Sequence, residues 1–215
     1  MRLLITAGGT REYIDPVRFI SNASSGKMGY ALVRAALRAS HKVTLITTVN
    51  RQAGLVNRAA SRERRATVIR VQTAAETFDA VRKHFPRCDC LIMAAAVADY
   101  TPAKPAKTKI KKAAKSLTIK LKPTADILKW AGEHKTKAQI LVGFALEDKE
   151  LRRRAEEKMQ QKNLDMIIAN TPAAIAADKA IFHLKVGDCR WVKLGPTTKA
   201  AAAMRVIRAI EQIRL

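Results

Sequence analysis

Acidic residues are scarce in this chain of 215 residues, where 18 Asp and Glu face 41 Lys and Arg and leave a formal charge of +23. Such an excess points to an anionic partner: nucleic acid, an acidic membrane or a phosphorylated small molecule. The sign does not choose among them, and a generally basic host proteome would explain it with no ligand at all. Aromatic side chains make up only 5% of the chain, which argues against the repeated stacking platforms that hold single strands. Cysteine is limited to Cys88, Cys90 and Cys189, an odd number without a ladder of spacings, so a disulfide framework is excluded and buried thiols in a reducing compartment are expected. The Cys88-Asp89-Cys90 step lacks companion ligands at metal-binding spacing. Long apolar runs are missing as well: CLIMAAAVA falls far short of a membrane span, and MRLLITA runs straight into GGTRE, too soon for a signal peptide. The expectation is a cytoplasmic protein with no membrane partner. Internal repeats and low-complexity linkers are also absent.

What is present is alternation. RLLITA (2–7), KVTLIT (42–47), TVIRV (67–71), CLIMAAA (90–96), ILVGFA (140–145) and DMIIAN (165–170) are mostly continuous apolar runs, as strands covered on both faces should be. Between them, residues 27–40, 74–85, 125–133 and 148–162 repeat apolar positions at helical spacing. This order predicts an α/β fold: a doubly wound, mostly parallel, Rossmann-like sheet with its ligand site beyond the carboxyl ends of the strands. A single domain over residues 1–215 is expected. Residues 101–122 interrupt the rhythm with eight lysines and no acid. They read as a projecting basic flap whose SLTIKLK segment alternates like a strand. The stretch IFHLKVGDCRWVKLG reads as a C-terminal hairpin turning at Gly187-Asp188, and residues 197–213 as a final helix.

Function should therefore sit in the loops after the strands. After the first strand come Gly8 and Gly9, then SNASSGKMGY, which fits neither the dinucleotide turn G-x-G-x-x-G nor the phosphate loop G-x-x-x-x-G-K-S/T. Ser24, Ser25, Gly26 and Gly29 still surround a helix start, whose free N–H groups favour phosphate. A glycine-rich connection without a ligand fits equally. In AAAVADY, small residues would let a flat ring lie close to the backbone and Asp99 could accept from a ribose or base, or serve only as a turn residue. Lys104, Lys107, Lys109, Lys111 and Lys112 suit a polyphosphate, a nucleic acid or plain solvent. Lys158 and Lys162, four apart, share one helix face, where they can meet a phosphate or simply favour the helix dipole.

Taken together, ITAGGTRE-x-IDPVRFISN-x-SSGKMG, AAAVADY, KIKK, K-P-T-x-D-I-L, VGFALE and K-x-x-x-K-N-L-D-x-I-x-A-N resemble the phosphopantothenate–cysteine ligase family of coenzyme A biosynthesis nearly end to end. The resemblance implies a two-step ligation through an acyl-cytidylate, with CTP as the nucleotide, magnesium as helper and no enzyme nucleophile. That agrees with a chain that has only four histidines and no Ser-His-Asp or Cys-His arrangement. Carried over by position, it assigns the nucleotide to Met93, Ala94 and Ala95 through backbone, with Asp99, Lys109, Ala125, Asp126, Ile127, Leu128, Phe144, Lys158 and Lys162. Asn22 matches the residue contacting the acyl intermediate and, with Lys109, is the expected catalytic pair. Arg18 and Ala96 match positions near the pantothenate, Arg18 reaching across a homodimer interface, and the Ser24–Gly29 turn would cradle the phosphate of 4′-phosphopantothenate.

The chain departs from the family pattern at Thr108, where many members have an acidic residue, and at Ala125, where many have proline. In many bacteria the family's domain is fused to a flavin-dependent decarboxylase. Here no fused decarboxylase is expected, a separate one is a conceivable partner, and the lone domain should bind no flavin. Two alternatives stay open: the same ligase using ATP, and a basic nucleic-acid-binding α/β module. The ligase reading itself entails no nucleic-acid partner.

Overall fold

The computed structural model describes residues 1–49, 66–112, 116–175 and 177–213; residues 113–115 of the expected flap, including Lys115, lie outside that range. Six strands run parallel. They are β1 (Arg2–Ala7), β4 (Lys42–Thr47), β5 (Ala66–Arg70), β6 (Cys90–Met93), β9 (Ile140–Leu146) and β10 (Met166–Asn170). The antiparallel strands β11 (Lys179–Val186) and β12 (Val192–Thr198) extend the sheet, giving the order β12-β11-β10-β9-β6-β1-β4-β5. The central strands are apolar on both sides because both sides are covered. Leu3, Ile5, Val43, Ile92 and Ile168 face a core with α1 (Lys27–Arg38) and α5 (Lys199–Ile213). Leu4, Leu91, Leu141 and Ile167 face the opposite core, shared with α2 (Ala74–His84), α3 (Ile127–His134) and α4 (Leu151–Gln161). This is the expected doubly wound α/β fold. Among the described residues no helix is long and apolar enough to cross a membrane.

Several boundaries move for local reasons. β6 ends at Met93 rather than residue 96, because the chain then leaves the ladder and touches strand one's extension only through an isolated bridge between Gly9 and Ala96. The last helix starts at Lys199, not residue 197: Thr197 and Thr198 remain paired with Ala180 and Lys179, and Thr198 Oγ1 accepts from Ala201 N (3.2 Å) as a cap. The third crossover helix starts at Ile127 because Asp126 caps it. SLTIKLK is not the strand its alternation predicts; only β8 (Leu121–Pro123) pairs, with β7 (Tyr100–Pro102), and Leu117 is exposed with no partner strand to cover it. A second short ribbon, β2 (Arg11–Tyr13) with β3 (Phe19–Ser21), lies inside what the sequence presents as one long loop. Cys88 and Cys90 are buried thiols, and burial pushes Cys88 up to about 12. Cys189, by contrast, is exposed.

Candidate functional site

The strand order reverses between β1 and β6, and at that point the loops after the two strands part. A cleft of about 760 Å³ opens there. Its floor is the segment after β6, held by the buried hydroxyls of strand one and its extension. Ala95 N donates to Thr6 Oγ1 (3.0 Å), Ala98 N to Thr10 Oγ1 (2.9 Å), Ala96 N to Gly8 O (2.8 Å) and Thr10 N to Ala96 O (3.2 Å). Every group in that ladder is neutral, so the floor is rigid without being charged.

At one end of the cleft stands Asn22, delivered by β3. Its Nδ2 donates to Ala96 O (3.4 Å) and Val97 O (3.2 Å), which locks the amide over the floor. Ser24, Ser25 and Gly26 follow along the wall, and Gly26 adopts φ 72° as the residue before α1, a left-handed conformation that glycine takes without a Cβ penalty. Gly29 does not belong with them. A Cβ there would sit 2.5 Å from Ala7 Cβ and 3.0 Å from Thr6 O, so this glycine permits close helix-to-strand packing and faces β1 rather than the cleft.

The other end is charged. Asp126 accepts from Lys129 N (3.0 Å) through Oδ1 and meets Lys162 Nζ at 2.8 Å through Oδ2. Burial pushes this carboxyl up, but Lys162, the Lys129 N–H and Lys158 outweigh it, leaving Asp126 below its ordinary range. Lys158 Nζ donates to Phe144 O (2.7 Å), and burial, aided by Lys162, holds its pKa below the usual lysine value. Met93, Ala94, Ala95, Ala96, Asp99, Ala125, Ile127, Leu128 and Phe144 also line the cleft.

The fold thus gathers around one cleft sixteen of the nineteen residues that the family resemblance assigns to substrate or nucleotide, leaving out Gly29, Arg18 and Lys109. Arg18 pairs with Asp15 and donates from Nη2 to Ile110 O (2.6 Å), outside its own cleft. Lys109 is exposed beside that contact, on the flap between β7 and β8.

Twelve lining residues escape a reading of the sequence, among them the polar Lys27, Thr124, Glu147, Asn170 and Lys199. Asn170 closes the K-N-L-D-x-I-x-A-N motif, a signal that was available. Lys199 had none. It enters from the final helix, donates to Ala177 O (2.7 Å) and Ala174 O (3.1 Å), and has its pKa lowered by burial and then by Lys27.

Among the described residues no histidine lines the cleft, and neither Ser24 nor Ser25 hydrogen-bonds a basic side chain. The arrangement can orient a substrate and neutralise phosphate charge, without an activated nucleophile of its own. Among the described residues no three His, Cys, Asp or Glu groups converge to hold a metal. The carboxylates lining the cleft are Asp99, Asp126 and Glu147, of which Asp126 pairs with Lys162 (2.8 Å) and Glu147 with Arg154 (3.3 Å).

Comparison with known proteins follows the same lines. Residues 1–213 match the family model described as DNA/pantothenate metabolism flavoprotein C-terminal domain. The chain is 45% identical over 215 residues to the coenzyme A biosynthesis bifunctional protein CoaBC of Bacillus subtilis, an alignment covering 97% of this chain and 50% of that protein. It is 39% identical over 222 residues to the CoaBC of Mycobacterium tuberculosis, covering 97% and 51%. The chain spans about half the length of these curated relatives. A crystal structure of the C-terminal domain of a CoaBC protein superposes with a TM-score of 0.79 at 36% identity, covering 99% of this chain and 94% of that one. A Cab2 mutant in complex with phosphopantothenate-cysteine shares the fold, with a TM-score of 0.80 at 16% identity and coverage of 99% and 86%.

Proposed function

The chain belongs to the DNA/pantothenate metabolism flavoprotein C-terminal domain family, and from that premise we propose that it is a phosphopantothenate–cysteine ligase acting in coenzyme A biosynthesis. The observation that carries the reading is the two-ended cleft. A neutral amide locked over a backbone floor and two lysines beside an aspartate line the same cleft as two separately held groups. One end suits an acyl group and the other a nucleotide.

In this reading a carboxylate oxygen of 4′-phosphopantothenate attacks the α-phosphorus of CTP and pyrophosphate leaves. The cysteine amine then attacks the acyl carbonyl, loses a proton, and CMP leaves. Lys158 and Lys162 neutralise the phosphates, and the backbone of Met93 to Ala95, with Asp99, holds the nucleoside. Lys109 serves the activation step from the flap, in its own cleft or in that of a second copy. Magnesium, when bound with the nucleotide, supplies further charge neutralisation. Asn22, with Nδ2 engaged by two carbonyls, offers Oδ1 to the incoming amine and keeps it aligned. The turn at Ser24 to Gly26, with Lys27, takes the phosphate of the acyl substrate. The domain is assigned no flavin. A homodimer is part of the proposal, because Val17, Phe19, Ile20 and Tyr100 leave apolar surface exposed on the two short ribbons.

The test is an assay with 4′-phosphopantothenate, cysteine, magnesium and either CTP or ATP. The expected result is CMP, pyrophosphate and phosphopantothenoylcysteine with CTP, and acyl-cytidylate accumulation when cysteine is omitted. Absence of nucleotide-dependent product would sink the assignment. Turnover with ATP alone would keep the ligase and overturn the choice of base.

A further inference from the structure

Most of the flap is exposed, yet its Lys109-Ile110-Lys111 stretch is pinned at one point. The pin is Asp15, in the turn between β2 and β3, whose side chain is wholly buried. Its two oxygens serve two different partners. Oδ1 accepts from Val17 N (2.9 Å) and Arg18 N (2.8 Å), which closes the turn on itself. Oδ2 accepts from Arg18 Nε (2.9 Å), from Arg18 Nη2 and from Ile110 N (3.1 Å). Arg18 Nη2 also donates to Ile110 O (2.6 Å), so both backbone polar groups of Ile110 are taken by the Asp15–Arg18 pair. A second backbone bond, Ala106 N to Ile14 O (2.8 Å), ties the flap to the same turn four residues earlier. The Arg18 guanidinium, with the three backbone N–H groups, holds the Asp15 carboxyl far below the usual carboxylate range despite its burial.

We propose that Asp15 is a positioning residue that latches the basic flap to the β2–β3 ribbon, so that Lys109 and Arg18 are presented from one rigid point. Its value to the reaction rests on the ligase reading above, in which Lys109 serves nucleotide activation and Arg18 the acyl substrate. Neither residue lines the cleft of its own chain, and both are placed by contacts that converge on this single carboxylate. Asp15 itself touches no substrate. It sets where the two cations stand, and an error of about an ångström in such placement is enough to slow a reaction about 100-fold.

The division of labour between the two oxygens supplies the test. In Asp15→Asn the amide oxygen can keep the turn bonds of Oδ1, while the amide nitrogen faces Arg18 and the Ile110 N–H, donor against donors. The expected result is local: amide exchange across residues 106–112 at least about tenfold faster, with new tryptic cuts after Lys109 or Lys111, while β1 and β6 amides keep their protection. In the ligation assay kcat should fall about 100-fold and the KM for nucleotide should rise. Should Asp15→Asn fail to fold, Ile110→Pro removes the flap's N–H and leaves the Asp15–Arg18 pair intact, with faster exchange at the neighbouring amides and a new tryptic cut after Lys111 expected. Unchanged exchange and proteolysis in the folded variant would overturn the latch, as would a loosened flap with unaltered kinetics. If wild-type protein makes no phosphopantothenoylcysteine while Asp15→Asn still frees the flap, the latch holds as a structural fact and only the ligase reading falls.

Discussion

The two ends of the cleft are built on opposite principles. Around Asn22 the frame is backbone, small side chains and hydroxyls answered by neutral partners, as Ala95 is by Thr6 and Ala98 by Thr10, with Lys27 the one cation following the Ser24–Gly26 turn. The Lys162 end consists of charges that already answer one another: Asp126 holds Lys162, and Lys158 leans on the Phe144 carbonyl. A neutral frame fixes geometry, and it suits a step that needs alignment. A charged frame with internal counter-ions can exchange them for phosphates, which suits binding and release. Alignment and affinity are therefore separable here, and variants at the two ends should fail in different ways.

The largest difference should come from Asn22→Ala. Loss of the amide oxygen that aligns the attacking amine should cost on the order of 100-fold in turnover. Nucleotide affinity should stay within about twofold, because the removed group belongs to the neutral end. Turnover measured beside CTP binding by calorimetry checks this, and equal losses in both would merge the two ends. Next comes Gly29→Ala. The added methyl would meet Ala7 Cβ at 2.5 Å, and overpacking of that kind costs about 1–3 kcal/mol. A lowered denaturation midpoint, with kcat falling more than nucleotide affinity, would show that the α1–β1 contact underwrites the neutral frame. An unchanged midpoint would show that it does not.

How much of this was legible depended on what each residue needed around it. The six parallel strands announce themselves because burial on both faces demands continuous apolar runs. The half-exposed edge strand β5 shifts by one residue, where that demand weakens. SLTIKLK alternates correctly and still fails to be a strand through most of its length, because alternation describes a half-buried surface and no neighbour covers Leu117. The β2–β3 and β7–β8 ribbons pair over only three residues each, too short to leave a pattern. In the site, Asp99, Asp126, Lys158 and Lys162 stand in recognisable motifs at element ends. Gly29 packs on β1 rather than joining the phosphate turn, and a glycine that admits a ligand and one that admits a strand look alike in sequence. Lys199 reaches the cleft only because α5 packs beside α1, a tertiary fact with no local trace. Asp15 carries no sign in sequence that its second oxygen is spent on a residue 95 positions away.

A smaller effect separates the ends by pH. Burial, then Lys162, lowers the pKa of Lys158 below 10.5, with Glu147, Asp126 and Asp99 opposing. The folded protein therefore disfavours the ammonium, and this unfavourable contribution is present below the lowered pKa and fades as pH rises toward 10.5. Nucleotide binding should run the other way, since phosphate needs the charged form. Affinity should fall at a lower pH than an ordinary lysine would allow. Lys158→Arg, which stays protonated, should push that alkaline loss upward. CTP titrations from about pH 7 to about pH 10 decide it. Matching profiles for wild type and variant would remove Lys158 from the phosphate site. The Asn22→Ala variant should retain the wild-type profile, because no titrating group is lost.

The finest distinction lies within Asp126, which works for the fold with one oxygen and for the charged frame with the other. Oδ1 caps α3 through Lys129 N, whereas Oδ2 pairs with Lys162 across side chains that are 44% and 23% exposed. Asparagine caps a helix about as well as aspartate, and an ion pair this exposed is worth at most about 1 kcal/mol. Asp126→Asn should therefore keep the denaturation midpoint, while Asp126→Ala should lose about 1 kcal/mol with the cap. Freed of its carboxylate, Lys162 should then hold phosphate somewhat better, tightening CTP binding by about threefold. Weaker binding in Asp126→Asn would mean that the carboxylate touches the nucleotide directly, and that the charged end, like the neutral one, is an aligning device.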